Sequence, residues 1–380
     1  MEKLINNYKL SRKYSNKLKR SKGHDEVRMG VEKNYLALSI HPSPRRANTN
    51  EKILNLDSNN LLVLNLNHTS AYGHIYSEVF SELFAVDSTY SEYDTVVTIV
   101  TPLMNEIFKF FEIKLSKKIN LINSIEQLHQ QYLLNFNHLE LVNHVPRSYN
   151  KKQENVLTLK NEFHRLRPIV NTSKQYVIFC SRSTTKAKHG RNITKQNEDE
   201  IVNYLKSYAN ENSLEFYFLT GEEPDGSTTP IAKQYELFSN AKIVVGPHGG
   251  VFSNLIFLDP AKKPKVIEFC PSWAKSFSRL FDGAIDTFAE YHQIPYILPQ
   301  GLLSDLAEYD TVKTRNRYVA DQLKDAECTI ELVKLVESLH GVHLRMVRTK
   351  PFSNLKQNIN DRVRQIVEKS ENTNLPSDVL

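Results

Sequence analysis

The chain is poor in the residues that staple, punctuate or anchor a fold. Its 380 residues hold three cysteines, Cys180, Cys270 and Cys328. Three cysteines without short spacing make neither a paired disulfide framework nor a zinc-finger pattern. Buried, reduced thiols are expected, and with them a reducing compartment. The triplets at Asn67, Asn171 and Asn192 that match a glycosylation acceptor do not overturn this, since they arise by chance in an Asn-rich chain. No apolar run approaches the roughly 20 residues that span a bilayer. No apolar stretch follows the basic amino terminus as it would in a secretory signal, so the expected location is cytoplasmic or peripheral to a membrane. There is no Gly-Lys-Ser/Thr closing a glycine loop, which disfavours P-loop ATP chemistry. Asp-x-Asp is absent, and no His/Cys/Asp group has metal-ligand spacing. No metal and no cofactor are therefore expected.

What is present is ordinary for a globular protein: 40% hydrophobic, 24% charged and 10% aromatic residues. The length suits two domains. The net charge of +6 is unevenly placed. Met1 to Arg46 holds twelve Lys and Arg against four Asp and Glu, hence +8, which leaves −2 for the rest. Charge confined to a terminal segment argues against a nucleic-acid-binding body. It is read as a flexible basic arm over residues 1–50, with peripheral contact to an acidic membrane surface as the second reading.

From Ile53 onward, apolar patterning predicts alternating strands and helices. In the first half these are a strand Leu61–Leu66, an amphipathic helix Tyr72–Phe84, a strand Thr95–Val100, a helix Pro102–Phe111, and a weaker strand Ile119–Ile122. Ser124–Phe136 is ambiguous, and Glu154–Arg167 is a connecting helix. In the second half the predicted strands are Tyr176–Cys180, Leu214–Leu219, Ile243–Val245, Lys265–Phe269 and Tyr296–Leu298. Between and after them come helices Asn197–Tyr208, Thr229–Ser239, Val251–Leu258, Ser276–Tyr291 and Thr329–Leu339. Such alternation implies parallel βαβ units and an α/β layered fold. Ligands of parallel sheets bind at the carboxyl ends of the strands.

Three strand-end groups could carry chemistry. Gly246-Pro247-His248-Gly249-Gly250 lies between a strand and a helix and holds three of the twelve glycines. Glycine there permits a close backbone approach, and a helix start attracts anions such as a diphosphate. A plain strand–helix turn would use glycine equally well. Arg182, just after the strand Tyr176–Cys180, and Arg191 beyond it could pair with phosphate oxygens. Lys186, Lys188 and His189 make the loop between them cationic; a solvated basic loop is the alternative. His74 and Glu78 sit four apart on the polar side of the helix Tyr72–Phe84, so both could enter one site or simply face water. Glu198, at a helix start, is read as structural.

In this order the pieces resemble glycosyltransferase family 61. Ala241 to Asn254 is similar to the family's A-x-x-V-x-G-x-H-G-A-x-x-x-N segment, with Gly250 where alanine is usual. Val266 to Pro271 resembles the V-I-E-I-x-P strand. Cys180 to Arg182, with Arg191 to Ile193 and Asn197-Glu198, resembles S-R…R-x-I-x-N-E. Tyr72, His74 and Glu78 match Y-x-H-x-x-x-E. The resemblance spans Leu61 to Pro299. It implies a GT-B architecture, two Rossmann-like domains facing across a cleft, here over residues 51–168 and 169–345, with a carboxyl-terminal extension over 346–380. It also implies inverting, metal-independent transfer of a sugar from a nucleotide-sugar donor to an acceptor hydroxyl; a UDP-linked donor and a glycan or glycoprotein acceptor are expected. Arg182, Arg191, Gly246, His248, Gly249, Gly250, Asn254 and Glu268 would hold the donor, and His74 or Glu78 would serve the acceptor. A nucleotide-sugar-binding or scaffold protein without catalysis is the alternative.

Overall fold

The computed structural model describes residues 26–32, 35–41, 57–63, 75–89, 91–100, 102–116, 119–123, 131–141, 149–169, 172–184, 191–223, 225–270, 290–299 and 326–341. The architecture is α/β, with two six-stranded sheets.

The first sheet uses β1 (Glu26–Glu32), β2 (Tyr35–His41), β3 (Asp57–Val63), β4 (Thr95–Val100), β5 (Ile119–Asn123) and β6 (Gln131–Leu141), in the order β1-β2-β6-β3-β4-β5. Strands β6, β3, β4 and β5 run parallel, while β1 and β2 join as antiparallel partners. Two strands thus lie inside the stretch expected to be a flexible arm, and the arm reading fails over residues 26–41. Val27, Met29 and Val31, then Leu36, Leu38 and Ile40, alternate with period two, a strand pattern masked by the charges around it. The remainder of the expected arm lies outside the described residues, as does the expected 346–380 extension.

Helix α1 begins after β3 as a π-helical turn over Ile75–Phe80 and continues as Ser81–Thr89. The expected start at Tyr72 lies outside the described residues. Helix α2 (Pro102–Phe111) and β4 occur where the pattern predicts them. Pro102 opens α2, where its missing N–H costs nothing, and Met104, Ile107 and Phe111 form its buried stripe. The ambiguous segment ends in β6, whose pairing with both β3 and β2 decides what its own pattern could not. Helix α3 (Tyr149–Leu166) connects the halves.

The second sheet holds β7 (Tyr176–Cys180), β8 (Glu215–Leu219), β9 (Ala241–Pro247), β10 (Lys265–Cys270), β11 (Glu290–Ile297) and β12 (Thr329–Ile330). Their order is β12-β11-β10-β9-β7-β8, parallel except for β12. Helices α4 (Lys195–Glu211) and α5 (Ile231–Ser239) and the 3₁₀ segment Gly250–Phe257 link the strands, and α6 (Leu332–His340) follows β12. Two expectations change here. Glu290 and Tyr291 open β11 rather than closing a helix, because they pair with Lys265 and Val266 of β10; residues 276–289 lie outside the described set. Thr329 and Ile330 are strand rather than helix, because Ile330 pairs with Tyr296 and its N–H donates to Asn197 Oδ1 at 2.6 Å.

The halves share one apolar core. Tyr76, Phe111 and Phe163 of α1, α2 and α3 pack with Tyr235 of α5 and Phe257 of the 3₁₀ segment. Phe111 stacks on Phe163 at 4.2 Å, and Tyr76 meets Phe257 edge-on at 5.4 Å. Each such ring contributes about 1.5–3 kcal/mol by burial, so the helices that follow β3 and β9 are firmly held against each other. No helix among the described residues is long and apolar enough to cross a membrane.

Candidate functional site

The chain runs from β7 outward to β8, then back across β7 to β9. Loops leaving the adjacent ends of β7 and β9 therefore diverge to opposite faces of the sheet, opening a crevice at its carboxyl edge. The crevice is bounded by Ser181–Arg182 on one side and Pro247–Gly250 on the other. A cavity of about 310 Å³ opens there, reaching Thr220–Glu222 beyond β8 and Val251 at the start of the 3₁₀ segment. Arg182 and Pro247 also line a second space of about 180 Å³, with Asn192, Lys195 and Glu198 around it.

The glycines have distinct tasks. A Cβ on Gly246 would lie 2.4 Å from the carbonyl oxygen of Cys180, so glycine is needed for β9 to lie against β7. A Cβ on Gly249 would lie 2.5 Å from Arg182 Nη1. The missing side chain is thus the space through which the guanidinium crosses the turn. Gly249 is extended, with φ −176° and ψ 172°, so its use here is steric and not conformational.

Arg182 and Arg191 converge. Burial first, and then the charge of Arg191, lower the Arg182 pKa from its ordinary value. Burial likewise lowers that of Arg191, partly offset by Tyr296 and Cys270. Two half-buried like charges at the carboxyl edge of a parallel sheet would be relieved by a polyanion. The backbone around them is pinned: Tyr296 donates from its hydroxyl to the Arg191 carbonyl at 2.9 Å, and Cys328 N–H donates to the Asn192 carbonyl at 2.9 Å. Ser181 donates to Glu198 Oε2 at 2.6 Å and accepts from the Ser183 N–H, which fixes the residue next to Arg182. Burial raises the Glu198 pKa, opposed by the Ser181 bond. Glu198, at the start of α4, thus holds the residue beside Arg182.

His248 and Glu268 come together behind the turn. His248 Nδ1 lies 2.7 Å from Glu268 Oε1, and Tyr291 donates to Glu268 Oε2 at 3.1 Å. Both members of the dyad are buried. With Cys270 they form a group of three metal-ligating types whose ligand atoms lie within 4.8 Å of one another. The expectation of no such cluster is corrected: neighbouring parallel strands bring together residues that sequence spacing keeps apart. Both Glu268 oxygens already accept hydrogen bonds, so an ion entering would displace one of them.

Asn254 stands further back. It is fully buried, and its amide donates to Gln234 Oε1 at 2.6 Å. Gln234 in turn donates to the Thr229 carbonyl at 2.6 Å. Asn254 thus braces the cavity wall through Gln234 rather than lining the cavity itself. His74, with the cationic loop residues Lys186, Lys188 and His189, lies outside the described residues. Glu78 falls within the π-helical turn of α1, and its side chain is not described. The wall formed by Thr220–Glu222 and Gln234 went unrecognised in sequence, where only the Gly-Glu-Glu-Pro-Asp-Gly turn signal marked the loop.

The family model for glycosyltransferase 61 matches residues 72–264, half of the chain. The chain belongs to this family and is a glycosyltransferase. No curated protein matches it in sequence. Among solved structures it is similar to the bacterial iron-containing dodecameric glycosyltransferase TibC from enterotoxigenic E. coli, at 11% identity and a TM-score of 0.35, over 89% of this chain and 82% of that one. It is also similar to the E. coli heptosyltransferase WaaC with ADP, at 8% identity and a TM-score of 0.34, over 70% and 99%.

Proposed function

We propose that the chain transfers a sugar, with inversion, from a UDP-linked donor to a hydroxyl of a glycan or glycoprotein, and that its halves form a GT-B arrangement with the donor on residues 169–345. The observation that carries this reading is Arg182 laid across Gly249, beside Arg191, at the topological switch of the second sheet. A diphosphate there gains two guanidinium partners and the backbone of the glycine turn, and the developing leaving-group charge meets the same groups without a metal. The dyad His248–Glu268 supports the turn from behind.

The acceptor side is assigned to residues 51–168. The first sheet has its own switch between β3 and β6, and His74 stands in the sequence between β3 and α1. Glu78 lies in a π-helical turn, a feature frequent at functional sites. Tyr76 of that turn touches Phe257 of the segment that follows the glycine turn. Inversion needs a base to take the acceptor proton as the hydroxyl attacks; His74 takes that role and Glu78 orients it. Peripheral membrane contact through the basic residues Lys9 to Lys22 belongs to the same proposal.

Calorimetric titration with UDP tests the donor site. Arg182→Ala and Arg191→Ala should each weaken binding by about 1.5–3 kcal/mol, the worth of a charge-assisted hydrogen bond, with lysine rescuing only part. Wild-type affinity in both alanine variants removes the arginines from the site. Turnover of a UDP-sugar should persist in excess EDTA; loss restored by manganese would put a metal in the mechanism.

A further inference from the structure

The cavity beside Arg182 has a far wall with a chemistry of its own. Among its described lining residues Arg182 is the one cation and Glu222 the one anion. They come from different strand ends, Arg182 after β7 and Glu222 after β8.

The loop carrying Glu222 is braced. Thr220 Oγ1 accepts from the Glu222 N–H at 3.1 Å and donates to the Glu222 carbonyl at 2.7 Å. Glu222 pairs antiparallel with Thr228, and Glu223 N–H donates to the Ser227 carbonyl at 2.7 Å. Gly221 has φ +83°, in the left-handed region that glycine takes without strain, and a Cβ there would lie 3.7 Å from Val251. The loop therefore leans on the segment that follows the glycine turn. Gln234, on the same wall, has its amide engaged with Thr229 and Asn254. Glu222 also faces the adjoining space of about 640 Å³, bordered by Tyr217 and Phe218.

We propose that Glu222 reads the donor's ribose, its carboxylate accepting both hydroxyls of the cis-diol while the diphosphate lies at Arg182. This rests on the nucleotide-sugar reading above. An ionised carboxylate only accepts hydrogen bonds, through two oxygens, and such charged bonds are about twice as strong as neutral ones. It therefore favours a ligand with two adjacent O–H donors and repels one carrying a further phosphate. The ligand class is a nucleoside diphosphate with an unmodified ribose, selected over 2′-deoxyribose and over ribose phosphorylated at its 2′ or 3′ position.

The experiment is calorimetric titration of the full chain with UDP, ADP and GDP, each beside its 2′-deoxy counterpart. Loss of the 2′-hydroxyl should weaken binding about tenfold or more, the worth of one bond to a charged group. In Glu222→Ala the ribose and deoxyribose forms should bind alike, at an unchanged melting temperature, and Glu222→Gln should discriminate to an intermediate degree. Equal wild-type affinity for both forms, or full discrimination kept in Glu222→Ala, overturns the assignment and leaves the diphosphate site standing. Absence of binding by all three nucleotides overturns the donor-site reading itself, and this inference with it.

Discussion

Replacing Gly249 with alanine sets one methyl group against one side chain. The three atoms nearest the added Cβ all belong to Arg182: Nη1 at 2.5 Å, Cδ at 3.3 Å and Cζ at 3.5 Å. The extended backbone at this position accepts alanine without strain. Carbon needs about 3.5–4.0 Å from a neighbouring heavy atom, so the guanidinium must shift by about 1 Å. A charge-assisted bond of about 2.7–2.9 Å does not survive that displacement. If it is worth about 1.5–3 kcal/mol, UDP affinity falls by roughly 10- to 150-fold. Stability should hardly change, because the end of a flexible side chain yields. Gly246→Ala is the contrast. Its methyl meets the Cys180 carbonyl oxygen at 2.4 Å and Cys180 Cβ at 2.9 Å, groups locked in the sheet. Overpacking of this kind costs about 1–3 kcal/mol. UDP calorimetry and thermal melts on the two variants separate the effects. Wild-type UDP affinity in Gly249→Ala, or equal destabilisation of both variants, would refute the reasoning.

Other expectations follow from the same structure. His74→Ala should keep UDP binding and lose transfer by roughly 10²–10⁴-fold, and Glu78→Gln should cost less if it only orients the imidazole; near-normal turnover in both moves the base elsewhere. Lys160 of α3 is 3% exposed, and burial, opposed by Asp259, lowers its pKa from 10.5 to about 7. The unfolded chain then binds more protons at this residue between these values, so Lys160 itself should add about 2 kcal/mol of stability from pH 7 to 9, a rise set against the opposite slope of Cys180 and Cys328, whose thiols burial pushes up. In Lys160→Met that rise should vanish, and an unchanged slope in denaturant melts would show that Lys160 does not titrate there. His164 is lowered to about 4 by burial and then by Lys160, so its titration leaves that window clear. Deleting residues 1–46 removes β1 and β2 and bares the β6 edge. The truncated chain should melt earlier and self-associate; an unchanged melt would show that these strands add nothing to the sheet.

Where neighbouring residues decide the outcome, the chain is legible in its own pattern. Strands β4 and β7 and helix α2 lie at the predicted residues, because a buried apolar run and a proline start are local signals. The motif residues around Arg182 and Gly246–Gly250 were legible as strand-end groups because a βαβ alternation puts chemistry at carboxyl ends. Tertiary structure decided the rest. Strands β1 and β2 were hidden by charge until β6 gave β2 a partner and β2 gave one to β1, and Thr329–Ile330 became strand because Asn197 and Tyr296 claim its backbone. Whether Gly249 served a turn or a ligand was open in sequence, and the structure shows a third answer: it makes room for Arg182. His248, Glu268 and Cys270 meet because β9 and β10 run in register, and Glu222 and Arg182 line one cavity because the chain crosses β7 between β8 and β9. Local propensity has a range of a few residues. Distances between strand ends depend on the order in which strands pack, and no short window of sequence contains that order.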